Sequence, residues 1–259
     1  MTEFGEQLRY WRKHKGLSQL DLALYADVSS KHISFLETGR AKPSREMIFQ
    51  LATTLDLPLR NRNDLLAAAG FSERFSQGDL DANLMEKIQT ALELILSHHA
   101  PYPALAFDWH WNIVMINDAF EKVIKMIQTI NPLFSSSNNI VELTFDPNGF
   151  RPYIENWQEV ASVIIQRLHR ERLENPQRHQ KLLEKVFSYP EIPSDWRQMD
   201  LTNTPTPMVQ LNLNINQLEL NLFTIISSFG TPIDITAEEI TIEHYFPADE
   251  ATRAFFEAV

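Results

Sequence analysis

Three cations, Lys31, Arg40 and Lys42, fall within twelve residues of one another in the string SQLDLALYADVSSKHISFLETGRAKPS. Cations so grouped can pair with phosphate or with the acceptor edge of a base. The charge balance supports a polyanion at this end of the chain. Residues 1–75 hold 11 Lys and Arg against 9 Asp and Glu, whereas the remainder holds 12 against 25, for a net charge of −11. One end can approach a polyanion and the other is repelled by it.

Other chemistries find no support. Cysteine is absent, which removes disulfides, thiolate metal sites and a thiol nucleophile. The eight His are scattered, with no H-E-x-x-H and no carboxylate cluster at ligand spacing. His98 and His99 are adjacent, so on a helix they point about 100° apart and do not share a metal. His110 falls in a predicted turn and His244 in a predicted strand, neither beside a nucleophile, and no G-x-S-x-G occurs. Glycine stands only at positions 5, 16, 39, 70, 78, 149 and 230, which fits neither G-x-G-x-x-G nor G-x4-G-K-[ST]. We expect no enzyme, no metal and no resident cofactor.

The elements that position the cations are helices. Phe4, Leu8 and Trp11 mark a first helix that Gly16 ends. Ser18 with Asp21 opens a second as a capping box, with Leu22, Ala23 and Ala26 inward. Ser29 or Ser30 caps a third carrying Ile33 and Leu36, and Gly39 closes it. Ser44 starts a fourth, and a fifth is expected around Asn63–Ala69.

Residues 72–83 read as a polar linker, after which Leu84, Ile88, Ala91 or Leu92, and Ile95 trace an apolar seam on a helix ending near His98. That spacing suits packing on another helix, in the same chain or in a second subunit. Short strands are expected at Ala104–Phe107 and Ile113–Ile116. A helix capped by Asn117 or Asp118 comes next, then a loop at Ser135–Asn139 and helices beginning near Trp157 and His179. From Val209 the apolar period becomes two, and its parity flips at Asn216–Gln217, as a two-residue hairpin loop requires. A last strand over Ile240–Phe246 precedes a terminal helix. The fold class is α+β: an all-α five-helix domain, then an antiparallel sheet of four or five strands with helices over one face. We divide it as residues 1–75, a connector at 76–100 and a domain at 101–259. No apolar run exceeds five residues and the start lacks a signal-peptide core, so we expect a cytoplasmic protein without a membrane partner.

The string around Lys31 resembles the helix-turn-helix of the lambda-repressor-like (XRE) DNA-binding family over roughly residues 3–70, with Asp27 where many members have glycine. The resemblance implies that the third helix enters the major groove of an operator and that Ser29, Ser30, Lys31, Ser34 and Phe35 face the bases. It implies phosphate contacts for Gln19, Arg40 and Lys42, and a structural ion pair between Arg12 and Glu37.

The stretches PLRNRNDLLAAAGF, APYPALAFDWHWNIVMIN, VELTFDP and NWQEVASVI are similar to MmyB-like transcription regulators, which join such a head to a PAS-like domain taken to bind a small ligand. The resemblance implies a homodimeric DNA-binding transcription regulator with a small-molecule effector. The aromatic load (Phe107, Trp109, Trp111, Phe120, Phe145, Trp157, Phe187) and the acidic balance favour an elongated apolar effector, a fatty acid or similar acyl chain. The expected lining is Leu105, Phe107, Met115, Phe120, Trp157, Ile164, Leu211 and Leu213, with Arg151 and Arg167 as cations for a terminal carboxylate. The competing expectation is a ligand-independent dimeric repressor whose second domain has a filled core.

Overall fold

The computed structural model describes residues 2–76, 82–174, 179–198 and 209–258. These form two compact units. The first takes in residues 2–76 and the distant segment Phe229–Glu238; the second takes in the described residues from Asn83 onward apart from that segment.

Among the described residues, five helices of the N-terminal segment build most of the first unit: α1 (Glu3–His14), α2 (Gln19–Tyr25), α3 (Ser30–Thr38), α4 (Arg45–Thr54) and α5 (Leu59–Ala68). Their starts follow the sequence. The Ser18–Asp21 capping box opens α2, and the side chains of Ser29 and Ser44 accept amides of α3 and α4. Asp27, in the turn between α2 and α3, takes φ +48°. This is the left-handed conformation that Asp tolerates better than most residues. Phe4, Leu8, Leu22, Ala23, Ile33, Leu36, Ile48 and Leu51 are buried together. At Gly5 an added Cβ would lie 2.4 Å from the carbonyl oxygen of Glu37, so α1 and α3 meet at a distance only glycine permits.

α5 begins four residues before the expected Asn63. Pro58 at its N-cap offers no side-chain acceptor. The Leu59 amide instead donates to Glu238 Oε2 at 2.7 Å, a cap from 179 residues away that leaves no local signal. Glu238 lies on α11 (Ile235–Glu239), a helix the sequence reading missed. Beside it the Ser76 hydroxyl donates to Asp234 Oδ2 at 2.6 Å, and the Ile235 amide to the Ser76 carbonyl at 2.9 Å.

The second unit begins with α6 (Ala82–His98), followed by β1 (Ala104–Phe107), β2 (Ile113–Ile116), α7 (Asp118–Ile130) and α8 (Ile140–Phe145). A 3-10 turn at Arg151–Tyr153 leads to α9 (Trp157–Glu174), α10 (Gln180–Ser188), β3 (Gln210–Ile215) and β4 (Leu218–Ser228). After the excursion 229–238 the chain returns as β5 (Thr241–Pro247) and ends in α12 (Glu250–Glu257). The five strands pair antiparallel in the order β2-β1-β5-β4-β3. The β3–β4 loop is the expected two-residue turn, with Asn216 and Gln217 at φ +53° and +72° and Ile215 opposite Leu218.

The antiparallel sheet with helices agrees with the expected fold class, and all four residues of β1 are buried, so both faces of that strand are covered. His99, just past α6, packs its ring on His244 and Phe246. Of the α6 seam, Ile88 and Leu92 are buried within the chain, as is Leu96, while Ala91 and Ile95 are half-buried. The side chain of Leu84 and linker residues 77–81 lie outside the described residues. No helix among the described residues is long and apolar enough to cross a membrane.

Candidate nucleic-acid interface and cavity

In the first unit the capped start of α3 projects the polar residues named from the sequence. Ser29, Ser30 and Lys31 are exposed, and Ser34 and Phe35 are half-buried on the following turn. Phe35 gathers cations around its ring: Lys31 Nζ lies 5.5 Å and Arg40 Cζ 5.9 Å from the centroid. Such geometry attracts a cation to the negative ring face and limits its wandering. Lys42 is exposed beyond the end of α3. The result is a basic rim around the first two turns of one helix, with a helix N-terminus at its edge.

Behind α3, Glu37 is buried and takes three side-chain donors. Arg12 Nε lies 2.5 Å from Oε1 and Arg12 Nη2 3.1 Å from Oε2, while Gln19 Nε2 donates to Oε2 at 2.8 Å. Arg12 Nη1 is satisfied by the Leu17 carbonyl at 2.8 Å. Bidentate geometry with each guanidinium nitrogen bonded is the condition under which a buried pair holds its elements in register. Gln19, expected at a phosphate, is held by Glu37 at the start of α2.

In the second unit a cavity of about 330 Å³ lies between the sheet and the helices. Its floor is one face of three strands: Val209, Leu211 and Leu213 leading into and along β3, Leu222, Thr224 and Ile226 on β4, and Glu243 and Tyr245 on β5. Register explains the set, because Thr224 stands opposite Tyr245 and Ile226 opposite Glu243. α9 supplies the roof with Val160, Val163, Ile164 and Arg167, one stripe at helical spacing. Phe120 and Val123 from α7 and Ile140, Val141 and Thr144 from α8 close a side.

Of the residues named from the sequence, the cavity brings together Phe120, Ile164, Arg167, Leu211 and Leu213. The other five lie outside its lining. Leu105 and Phe107 are fully buried on β1, and Phe107 is covered by the Trp111 ring stacked on it at 4.8 Å. Met115 sits on β2. Trp157 is buried, donating its indole N–H to the Glu191 carbonyl. Arg151 lies over the Trp157 ring at 4.4 Å and pairs with Glu191, so its cation is occupied elsewhere.

Thr224, Glu243 and Tyr245 were missed, and Trp111, named among the aromatic residues, was not in the expected lining. Trp111 has φ +69°, a strained conformation for an aromatic residue. Its indole N–H donates to Glu171 Oε2 at 3.2 Å, and Arg167 Cζ lies 4.3 Å from its ring. Arg167 Nε also bonds Glu171 Oε1 at 3.0 Å, and Glu171 Oε2 lies 2.8 Å from His179 Nε2. On the floor, burial pushes the Glu243 carboxyl up from its ordinary range, against the pull of Arg167 and of hydrogen bonds with Thr224 and Tyr245. Burial and then Glu243 raise the Tyr245 phenol. The parity of TIEHYF places Glu243 and Tyr245 on one face, so the signal existed, but only strand pairing shows that this face is inward. No cluster of three metal-ligating side chains occurs among the described residues.

Residues 88–259 match the family model of the MmyB-like transcription regulator ligand binding domain, and residues 8–60 match a helix-turn-helix model. Part of the chain is similar to the HTH-type transcriptional regulator RghRB of Bacillus subtilis, at 37% identity over 95 residues, 36% of this chain and 65% of that protein. The chain thus spans just under two thirds of that relative's length. It is also similar to the HTH-type transcriptional repressor RghR of Bacillus subtilis, at 34% identity over 94 residues, 34% of this chain and 67% of that protein. Among solved structures, the restriction-modification controller protein C.AhdI of Aeromonas hydrophila shares 36% identity, over 24% of this chain and 92% of that chain, with a TM-score of 0.23.

Proposed function

This chain belongs to the MmyB-like transcription regulators, DNA-binding regulators rather than enzymes, and from that premise we propose that it is a homodimeric regulator whose second domain takes an apolar, acyl-like effector. In this reading α3 enters the major groove. Lys31 and Phe35 meet base edges, and Arg40 and Lys42 meet phosphates on either side. Two heads are needed because one buries too little DNA surface for strong specificity.

The cavity is the observation that supports an effector. Its volume of about 330 Å³ is many times the single-water voids common in protein interiors, and it is open to solvent where Ile226 lines it. Most of its wall is aliphatic or aromatic, a surface that an apolar chain covers better than water does.

A route to the head follows from chain connectivity. Ile226, itself exposed, and half-buried Glu243 are the cavity-lining residues nearest the two ends of the segment 229–238, which belongs to the head unit. A ligand that favours one β4–β5 arrangement therefore biases a segment that caps α5. Regulation requires only unequal affinity of the effector for two arrangements.

The test is organic extraction of the purified protein with mass spectrometry, paired with operator binding titrated with fatty acids. Bound acyl species and a shifted operator affinity are expected. An empty extract together with operator affinity indifferent to every acyl chain refutes the effector and leaves a ligand-independent dimeric repressor.

A further inference from the structure

An apolar ligand alone gives no reason for a carboxyl on the cavity floor. Glu243 stands opposite Ile226, two residues from Tyr245, and lines the cavity beside Thr224 and Tyr245. Arg167 lines the same cavity from α9, but it is already committed to Glu171 at 3.0 Å, which in turn reaches His179 at the start of α10. The titratable and charged groups turned toward this end are therefore Arg167 with Glu171 and His179 behind it, and Tyr245 beside Glu243. α7, α8, β3 and β4 contribute only uncharged side chains to the described lining.

We infer that Glu243 receives the acid end of an acyl ligand, sharing a single proton with its carboxylate, so that binding takes up one proton from solvent. No covalent bond changes: the protonated Glu243 donates a hydrogen bond to the ligand carboxylate, and Arg167 supplies the nearby positive charge. Two ionised carboxylates do not sit in contact at this half-buried end, because like charges at short range force one of them to hold a proton. The burial that disfavours ionised Glu243 acts in the same direction. This assigns Glu243, in place of Arg151, as the partner of Arg167 at the polar end, and it rests on the acyl reading above. The sign follows directly: affinity for a fatty acid is highest at low pH and falls as pH rises and Glu243 must be reprotonated to bind. A fatty alcohol needs no such proton.

The experiment is calorimetric titration of the full chain, stripped of endogenous lipid, with decanoic acid and with 1-decanol between about pH 6 and 9, where free decanoic acid, like other carboxylates, is ionised. For the wild type, the decanoate dissociation constant should rise toward about tenfold per pH unit at the alkaline end, the slope of one linked proton. Decanol binding should stay flat. E243Q keeps the shape and a donor without the titration, so its decanoate profile should be flat. Proton uptake counted on the wild type, from buffers of different ionisation heat, tests the same point without any variant and should approach one. Decanoate binding that is tight but independent of pH, with no proton taken up, overturns the assignment and leaves the acyl reading standing. Failure of both probes to bind at every pH overturns the acyl reading and this inference with it.

Discussion

The buried pair behind the recognition helix gives the sharpest quantitative expectation. Glu37→Ala removes the acceptor of two Arg12 bonds and one Gln19 bond while leaving the Arg12 guanidinium buried with only the Leu17 carbonyl. The side chains of Arg12 and Glu37 are 9% and 3% exposed, so solvent does little to screen or repair the loss. Stranding one member of such a pair costs about 3–5 kcal/mol. Domains of 60–100 residues lose about 4–8 °C per kcal/mol, so the head's transition should fall by about 12–40 °C. Against a total stability of about 5–15 kcal/mol, the lower end of that range is close to an unfolded head. The assay is thermal and urea unfolding of the full chain, with hydrogen exchange resolving α1 and α3 from the second unit. Arg12→Met combined with Glu37→Leu should recover much of the loss, because a matched apolar pair removes both buried charges together. A single variant within about 1 kcal/mol of the parent, or a double variant as damaged as the sum of the singles, would refute the claim that this contact is a coupled, desolvated pair.

Four further outcomes are expected. Lys31→Ala should weaken operator binding by about 1–3 kcal/mol and relax preference at one base. Lys42→Ala should weaken all sequences alike and reduce the salt slope by about one; unchanged gel-shift affinities in folded variants would displace the interface from this rim. Sedimentation of the full chain at about 10 μM should show a dimer, and a monomer there excludes the two-headed arrangement at working affinity. Asp234→Ala removes the bonds to the Ser76 hydroxyl and the Thr236 amide. It should cost about 1–3 kcal/mol in the head and blunt the operator response to an effector while leaving effector affinity intact, read by paired calorimetry and gel shift. An intact response would mean that the segment 229–238 is only a structural cap.

Much of this protein was legible from local chemistry. The capping residues Ser18, Ser29 and Ser44, the left-handed Asp27 and the parity flip at Asn216–Gln217 act through neighbours one to four residues away. Their effect is present in the sequence at the same spacing as in space. The same holds for the exposed cations of the head, since nothing has to pack around them for their charge to matter.

What the sequence left open depends on contacts between remote positions. The α5 cap is Glu238, supplied by a segment that folds with the head across more than 150 intervening residues. Glu243 reads as one polar residue in a strand until β4 and β5 pair, when it becomes the carboxyl facing a cavity. Arg151 and Arg167 have equal standing in the sequence; stacking on Trp157 and pairing with Glu191 occupy the first, while the second reaches the cavity. Periodicity fixes which side of an element a residue lies on. Only the assembled layers decide whether that side meets a neighbour, water or empty space, because burial is a property of the whole packing and not of any one segment.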